Sequence, residues 1–474
     1  MAGRFLNAFK PIARFIPEVK APERRVGFNE KLFWTAIALI IYLVMASDAC
    51  RLYGIPSTVE ERFAPLRIIF ASNRGTLMEL GIGPIVTAGL ILQLLVGSAM
   101  IQCDMSKPED RGLFTTASKV FAIILTGVQA SAYIISGMYG TLSGTTAIIV
   151  FLQLLAAGFI VLLLDELIQK GWGFGSGISL FIMAGVAQQI FLECFHPSPW
   201  VDEYGSSGLF VALIQTIMSG KSVSGLLLRG NYPSIVGFIA TIVAFLVIIY
   251  MEGVRVELPL AYAGYRGFRS RYPIKLLYVS NLPVIFASAL FANIYFFSYL
   301  LWSQPWGSSN FWVNLLGSYK LDSTSGQYVP TGGLVYYVTS PGNLSNVMAE
   351  PLRAFGYLAI LIAFCVIFSL TWLEVGGLGP STVAKQLVDA GMQIPGYRRS
   401  EKAIEQILKR YIPAVTVLGG IIVGLIAGLS DFFGVFGSGI GILLSVGIIY
   451  QYYEILVRER AAEMYPAFRR IFGE

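Results

Sequence analysis

Ten stretches of the chain are apolar over a length that can cross a lipid bilayer, and this pattern constrains the fold more than any other feature. A helix of about 20 residues is long enough to span the hydrocarbon core of a membrane. Several of the stretches contain no charged residue. The windows are 32–52, 76–97, 118–137, 146–164, 174–195, 233–251, 283–302, 354–373, 411–430 and 433–457.

The composition fits a membrane protein, because hydrophobic residues make up 55% and charged residues 13% of the 474 residues. The charged share is about half of that usual in soluble proteins. A single histidine, His196, and four scattered cysteines offer no catalytic constellation, disulfide framework or metal site. We therefore expect an all-α polytopic membrane protein that is not an enzyme and holds no metal or cofactor.

The distribution of Lys and Arg predicts which side of the membrane each segment faces. With ten spans, 26 of the 34 Lys and Arg residues fall on the side that carries both termini, and 8 fall on the other. Positive charge accumulates on the cytosolic side of membrane proteins. Both termini, including the tail 458–474, are therefore predicted to be cytosolic. Nine or eleven spans would mix the two groups, so the bias also favours ten.

Two predicted cytosolic loops, at about 252–282 and 374–411, are longer than a connection between spans requires. Both are rich in positive charge, which is explained either by the positive-inside bias alone or by docking of an acidic partner such as ribosomal RNA. The first loop carries Arg255, Arg266, Arg269, Arg271 and Lys275, and the second carries Lys385, Arg398, Arg399, Lys402, Lys409 and Arg410.

The segment 1–31 is predicted to be a cytosolic amphipathic segment rather than a cleavable signal. Apolar residues recur at helical spacing over 3–16 and are interleaved with basic residues, a pattern typical of a helix that lies on the membrane surface. Pro11 interrupts the pattern. The apolar residues are Phe5, Leu6, Phe9, Ile12 and Ile16.

The ten spans divide into two groups of five, 32–195 and 233–457, which have opposite topology. An inverted repeat about an axis in the membrane plane is therefore predicted. Ionisable residues are scarce in spans 6 to 10, which argues against an ion-coupled carrier. Three uncharged polar residues, Thr87, Gln129 and Asn293, lie inside spans. They form either ordinary interhelical hydrogen bonds of roughly 1 kcal/mol or a polar patch at a lateral seam.

Three local motifs have structural interpretations. Glycines alternate over 171–177 like a phosphate-binding loop, but no strand precedes them, so a tight turn is expected instead. Gly420, Gly424 and Gly428 form overlapping GxxxG steps, which favour close helix contact in span 9. The tripeptide 343–345 is a glycosylation sequon in a predicted luminal loop.

Several stretches resemble the SecY family of protein-conducting channels, and the similarity runs nearly end to end. Within that family, the chain is most similar to the alpha subunits of Sec translocons of the endoplasmic reticulum. The resemblance implies two inverted five-helix halves around a central pore. The pore would pass secretory polypeptides across the membrane and release membrane proteins sideways into it. The most specific stretches are ASNRGTLMELG at 71–81, LLLDELIQK at 162–170, GSGISLF at 175–181, YPIKL at 272–276 and IYQYYE at 449–454, supported by Asp110-Arg111 and Leu113-Phe114.

The resemblance also implies where the parts of the channel lie. A plug corresponds to about 55–74, and ribosome contacts fall on Arg266 and on Arg398 or Arg399. The lateral gate lies between spans 2 and 3 on one side and spans 7 and 8 on the other, and its polar cluster comprises Thr87, Gln129 and Asn293. A pore ring of branched aliphatic side chains would resist wetting, although ordinary core packing would give the same spacing. The ring consists of Ile82, Val86, Ile178, Ile182, Ile285 and Leu444.

The chain departs from the family pattern at three places. The end of span 1 reads Ser-Asp-Ala-Cys-Arg at 47–51, where the family usually has an Ile-Pro pair. The plug sequence diverges, which leaves its stability and the gating threshold open. The loop with Arg398 and Arg399 is about two residues longer than the family pattern, so either arginine is a candidate for the contact.

The implied partners are two small single-span subunits (beta and gamma), the ribosome, nascent polypeptides and signal sequences, post-translational translocation subunits and a luminal chaperone. The implied location is the endoplasmic reticulum membrane. A specialised translocon paralogue with a restricted client set remains an alternative. A secondary solute transporter is disfavoured because it needs substrate-binding or ionisable residues at mid-membrane. An intramembrane enzyme needs a nucleophile with a base or paired aspartates within spans, and the sequence displays neither.

Overall fold

The computed structural model describes residues 11, 17–24, 26–55, 72–97, 100–101, 108–135, 139–140, 142–197, 204–230, 232–262, 269–277, 282–304, 307, 309–321, 328–389, 392–393 and 401–464. Several predicted features fall wholly or mostly outside these residues. They are the amphipathic segment 3–16, the plug residues 56–71, Arg266, Arg398, Arg399 and the tail from 465 onwards.

Ten long helices coincide with the ten predicted spans, and we number them α1 to α10 in chain order. Within the described ranges, nine of them are long and apolar enough to cross a membrane, and α2 contributes a shorter apolar helix. The predicted all-α polytopic fold is confirmed. The helices are α1 Phe28–Met45, α2 Gly83–Gly97, α3 Pro108–Ile135, α4 Gly144–Leu167, α5 Gly177–Phe195, α6 Ile235–Gly253, α7 Leu282–Trp302, α8 Pro351–Val375, α9 Glu401–Phe432 and α10 Gly439–Met464.

The second span begins later than predicted, because helix α2 starts only at Gly83. Gly75 and Gly81 have φ values of 64° and 55°, in the left-handed region that interrupts a helix. Pro84 then falls in the first turn of α2, where its missing N–H costs no intrahelical bond. Glu79, expected inside the span, lies in the turn ahead of α2 and accepts a hydrogen bond from the backbone N–H of Gly75.

The glycine-rich connection between α4 and α5 is the predicted tight turn. It begins with one π-helical turn, Ile168–Trp172, which continues directly from α4. Gly171 and Gly175 have φ values of 100° and 66°, which L-residues with a side chain rarely adopt. The two glycines therefore reverse the chain in a few residues and place the start of α5 beside the end of α4.

The glycines of α9 allow this helix to approach α8 closely, as the GxxxG pattern predicts. A Cβ atom added at Gly424 would lie 2.9 Å from Cα of Ile362, and one at Gly420 would lie 3.1 Å from Cα of Val366. Backbone atoms at this distance leave no room for a side chain. Close contact strengthens van der Waals packing, which holds membrane helices together.

The loops between the spans contain regular structure that the sequence did not predict. In the loops after α6 and α8, strands β1 Arg255–Tyr262, β2 Arg269–Lys275 and β5 Met392–Gln393 form an antiparallel sheet in the order β2-β1-β5. Strands β3 Ser318–Leu321 and β4 Tyr328–Gly332 form a hairpin after α7. Short helices cover Leu209–Met218, Phe311–Leu316, Leu334–Val338, Leu344–Ala349 and Pro380–Asp389.

One continuous apolar cluster lies at the centre of the bundle and receives side chains from every long helix except α3. Within it, the rings of Tyr42 and Phe181 stack with centroids 4.8 Å apart and join α1 to α5. The last helices of the two halves, α5 and α10, pack against each other. Helix α6 instead presents apolar residues outwards, and Ile239 is 54% exposed there, as expected for a face that contacts lipid.

Candidate functional site

Four of the six predicted pore-ring residues belong to the central apolar cluster, and the other two pack against it. Ile82 immediately precedes α2, and Val86 lies within it. Of the ring residues, Ile82, Ile182 and Leu444 are at most 1% exposed. Ile178 and Ile285 are partly buried and pack against the same cluster. The fold therefore brings together side chains from four helices and both halves, as a central collar requires, and their role as a pore ring stays a prediction.

Two of the three predicted gate residues are in direct contact. The Nδ2 atom of Asn293 in α7 donates a hydrogen bond to Oγ1 of Thr87 in α2 at 3.2 Å, and it also donates to the backbone oxygen of Ala289 at 2.7 Å. Gln129 of α3 forms no side-chain hydrogen bond within the described part of the chain. Of the three predicted gate residues, Asn293 and Thr87 therefore join the two halves directly, and the part played by Gln129 stays a prediction.

A cavity of about 620 Å³ lies between α3, α4 and the end of α7. Its lining is almost wholly apolar, with Ser131 and Gln304 as the polar exceptions. Helices α3 and α7, which stand on opposite sides of the predicted lateral gate, both contribute to its lining.

The two ends of the predicted plug segment are held side by side. The backbone N–H of Leu52 donates to the oxygen of Gly75 at 2.8 Å, and the N–H of Leu77 donates to the oxygen of Cys50 at 3.0 Å. The amide of Asn73 also donates to the backbone oxygen of Ala46 at 2.7 Å. The chain before residue 56 and the chain after residue 71 are therefore joined by hydrogen bonds at the end of α1.

The sheet β2-β1-β5 joins the two basic loops into one unit. Arg266 lies in the connection between β1 and β2, and Arg398 and Arg399 follow β5. Strand β1 pairs with β5 at Ala261–Gln393 and at Tyr262–Met392. The three arginines themselves lie outside the described residues. The two loops that carry them are nevertheless joined by the pairing of β1 with β5, an arrangement that the sequence, interpreted loop by loop, did not predict.

Charged residues from several of the family motifs bond to one another on the sheet side of the molecule. Lys275 of YPIKL donates to Glu454 of IYQYYE at 2.9 Å. Glu166 of LLLDELIQK is nearly buried and pairs with Lys119 at 2.5 Å and with Lys170 at 2.7 Å. These bonds connect β2, α10, α3 and α4, so the motifs hold the elements of this face in register.

Glu18 extends this charged network to the N-terminal segment. Its carboxylate accepts a hydrogen bond from Lys170 and lies 3.5 Å from the ammonium of Lys119. The hydrogen bond from Lys170 and the positive charges of both lysines hold the pKa of Glu18 below its ordinary value of 4.5. The indole of Trp172 also donates to the backbone oxygen of Lys20 at 2.9 Å. Residues 17–24 are thereby fastened to the connection between α4 and α5.

Within the ranges that the structure describes, no group of three or more His, Cys, Asp or Glu residues lies together as a metal site would require. His196 instead uses its backbone oxygen to accept a hydrogen bond from Ser206 Oγ at 2.6 Å. The main features of the described residues are the central apolar cluster, the hydrogen bond between α2 and α7, and the ion pairs on the side of the sheet.

Known proteins match almost the whole chain. A family model described as SecY matches residues 76–453, and one described as the plug domain of Sec61p matches residues 40–75. The protein transport protein Sec61 subunit alpha of Dictyostelium discoideum is 43% identical over 470 residues, which are 97% of this chain and 98% of the relative.

Solved structures agree with these matches. A structure described as that of a protein conducting channel has a TM-score of 0.81 at 39% identity and covers 97% of this chain and 98% of its own. Sec61 in the canine ribosome-channel complex from the endoplasmic reticulum has a TM-score of 0.78 at 38% identity, with the same coverage. The helices, the apolar centre and the seam thus occur in a fold shared with channels.

Proposed function

The chain belongs to the SecY family and is a protein-conducting channel, and we propose that it works in the endoplasmic reticulum membrane. There it translocates secretory polypeptides across the bilayer and inserts membrane proteins laterally into it. The proposal is supported by the likeness to a Sec61 alpha subunit and to Sec61 in a ribosome-channel complex from that membrane.

The observation that carries the mechanism is the convergence of six aliphatic side chains from α2, α5, α7 and α10 in one apolar cluster. Branched aliphatic groups offer water no hydrogen bonds, so a narrow neck lined by them stays dry and blocks ions. A translocating polypeptide would push these side chains apart and fill the gap itself. The pore ring therefore seals the channel both at rest and in use. It comprises Ile82, Val86, Ile178, Ile182, Ile285 and Leu444.

The lateral gate is the seam between α2 and α3 on one side and α7 and α8 on the other. The bond from Asn293 to Thr87 holds α7 to α2, and a neutral interhelical bond of this kind is worth roughly 0.6 to 2 kcal/mol. Such a bond keeps the gate closed at rest, yet an apolar signal sequence can compensate for its loss. Gln129 of α3 belongs to the same polar cluster, and the incoming helix would enter between α3 and α7, which both line the cavity.

The plug corresponds to about 55–74 and blocks the pore at rest, and the chain on its two sides is joined by hydrogen bonds at the end of α1. The remaining division of the chain follows the sequence prediction. It comprises the cytosolic amphipathic segment 1–31, the halves 32–195 and 233–457, the cytosolic loops 252–282 and 374–411, and the cytosolic tail 458–474.

The ribosome binds the sheet side through Arg266 and through Arg398 or Arg399. Support comes from the excess of positive charge on the side of the termini and from the pairing of β1 with β5, which brings both loops to one place. Arginines bind the phosphates of ribosomal RNA and release counterions. This assignment places both termini in the cytosol.

The channel supplies no driving force of its own in this account. Two small single-span subunits, beta and gamma, complete a heterotrimer, and the ribosome pushes the nascent polypeptide. For completed chains, post-translational translocation subunits and a luminal chaperone supply the force instead.

Purification from native membranes tests this proposal. We expect the tagged chain to bring down ribosomes together with two small single-span proteins, and the reconstituted complex to import secretory precursors into proteoliposomes. Import of only a narrow set of precursors would favour the specialised paralogue. Purification without either small protein or ribosomes, and without import, would contradict the proposal.

A further inference from the structure

The same four residues lead into helices α5 and α10, although the two helices lie in opposite halves of the chain. Residues 175–178 and 437–440 both read Gly-Ser-Gly-Ile. The first glycine of each, Gly175 or Gly437, has a positive φ, 66° and 70° respectively. The serines differ, because Ser438 caps α10 by accepting a hydrogen bond from the N–H of Gly441 at 3.0 Å, whereas Ser176 forms no such cap.

The start of α5 is capped by an aspartate from the end of α4. The Oδ1 atom of Asp165 accepts a hydrogen bond from the backbone N–H of Ile178 at 2.9 Å. Its Oδ2 atom accepts from Nε2 of Gln169 at 2.7 Å, which fixes the carboxylate. A Cβ atom at Gly177 would lie 2.7 Å from Cα of Asp165, so only glycine permits this approach. The first N–H groups of a helix lack intrahelical partners, and a carboxylate satisfies them.

The start of α10 is capped in the same way from the end of α9. The Oδ1 atom of Asp431 accepts a hydrogen bond from the backbone N–H of Gly439 at 2.6 Å, and Oδ2 accepts from the hydroxyl of Tyr357 in α8 at 2.8 Å. A Cβ atom at Gly439 would lie 2.9 Å from the backbone nitrogen of Asp431. Both aspartates are buried. The two caps thus correspond in residue type, in position at the end of the preceding helix and in the glycine they require.

Helices α5 and α10 each form hydrogen bonds to the turn that precedes the other helix. The hydroxyl of Tyr452 in α10 donates to the backbone oxygens of Phe174 and Ser176, at 3.1 and 2.9 Å, in the turn before α5. The Oε2 atom of Glu193 in α5 accepts from the backbone N–H of Gly437, at 3.1 Å, in the turn before α10. The two helices are therefore antiparallel, and hydrogen bonds join the start of each to the other helix.

We propose that Asp165 and Asp431 are matched positioning residues of the channel. By capping α5 and α10 they fix Ile178, Ile182 and Leu444, so that these two helices form the stationary wall of the pore while α2 and α7 separate. This inference rests on the proposed pore ring. Ile178 is bonded directly to the first cap, and Leu444 lies five residues after Gly439, so loss of either cap displaces ring side chains.

The test measures the resting ion conductance of the reconstituted heterotrimer in planar bilayers, in a background with residues 56–70 shortened so that the plug cannot mask a leak. Loss of a cap of about 1 to 2 kcal/mol should shift the equilibrium between a sealed and a leaking wall by about 5- to 30-fold. Asp165→Ala and Asp431→Ala should therefore each raise the conductance by up to that factor. Asp165→Asn and Asp431→Asn retain the accepting oxygen and should stay near the parent value.

The matched control is Glu252→Ala, which removes a buried carboxylate at the end of α6 that belongs to neither cap, and which should leave the conductance unchanged. Ile182→Asn tests the ring itself. If Ile182→Asn leaks but the two alanine variants of the caps do not, the caps alone are overturned, whereas an Ile182→Asn channel that does not leak would overturn the ring. An equal leak in Glu252→Ala would show a general loss of packing and would also overturn the caps.

Tyr452→Phe provides a milder variant if the alanine variants are not recovered as intact heterotrimers. It removes the hydroxyl that Phe174 and Ser176 share as a donor and keeps the packed ring, so folding should survive. A measurable rise in resting conductance is expected from the freed turn before α5. Parent-like conductance in this variant, at an unchanged elution volume on size exclusion, would overturn the inference.

Discussion

Asn293 of α7 donates a hydrogen bond to Thr87 of α2, and 206 positions of sequence separate the two residues. The bond crosses from the second half of the chain to the first. Because Asn293 also donates to Ala289 one turn earlier in its own helix, its amide is held in the orientation that reaches Thr87. The contact between α2 and α7 at the proposed lateral gate is thus an oriented hydrogen bond.

Replacing Asn293 by Leu should lower the hydrophobicity that a signal sequence needs to open the gate. The bond is worth roughly 0.6 to 2 kcal/mol, and its loss favours separation of α2 from α7. The measurement is the insertion efficiency of a graded series of signal sequences. Gln129→Leu is the matched control and should shift the threshold less, since Gln129 has no side-chain partner within the described residues. An unchanged threshold in Asn293→Leu would show that the bond serves packing alone.

Charge reversal at Arg266, Arg398 and Arg399 should weaken ribosome binding and flatten its salt dependence. Each lost phosphate contact lowers the slope of log affinity against log salt by roughly one unit. Binding of purified ribosomes to proteoliposomes over a salt series measures both quantities. Lys221→Glu, on the predicted luminal side, should change neither. Affinity and slope equal to those of the parent in the triple variant would remove these arginines from the contact.

The sequon at Asn343 should remain without a glycan in the folded channel. The Nδ2 atom of Asn343, to which a glycan would attach, donates to the oxygen of Gly230 at 3.0 Å, and Oδ1 accepts from the N–H of Asn346 at 2.8 Å. Asn343 is therefore the cap of the helix that follows it. Glycosidase treatment of the protein from microsomes should leave its mobility unchanged.

A positive control for this result is Asp322→Asn, which creates an acceptor tripeptide with Ser323 and Thr324 in the same predicted luminal loop. This variant should gain a glycosidase-sensitive shift. A shift of the parent that disappears in Asn343→Gln would contradict the prediction. Absence of a shift in Asp322→Asn would instead argue against the luminal assignment of this loop.

The attachment of residues 17–24 should persist near neutral pH and be lost only in acid. The pKa of Glu18 is lowered by the hydrogen bond from Lys170 and by Lys119, and such a carboxylate stabilises the folded state above its unfolded pKa. The contribution disappears as the pH falls through the lowered pKa, below 4.5. A spin label in place of Glu23 should therefore gain mobility only in that acidic range.

With Glu18→Gln, the spin label at position 23 should show at every pH the mobility that the parent shows only in acid. Glu109→Gln changes an exposed glutamate of α3 and should leave the pH dependence of the label's mobility as in the parent. The effect is small, because the side chain of Glu18 is 65% exposed and ion pairs in water contribute little. A mobility that changes near neutral pH in the parent would show that another group controls the attachment.

The spans could be predicted from sequence because a bilayer requires about 20 apolar residues for each helix. Helix α2 was placed too early because Gly81 and Pro84 set its start through backbone conformation, which hydropathy does not register. Strand β1 was missed although apolar residues alternate along it, because Pro259 argues against a strand and the loop was interpreted through its positive charge. Asp431 was missed as well, since an isolated aspartate at the end of an apolar stretch gives no sign of the N–H group that it caps.

Photocrosslinking from the pore ring to a stalled secretory polypeptide tests most directly that these residues line the path of translocation. A crosslinking amino acid at position 182 should form an adduct with the stalled chain, and one at position 239, on the outward face of α6, should not. Both variants must import precursors as the parent does. Adducts at 239 but not at 182, in channels that carry the same stalled polypeptide, would contradict the account.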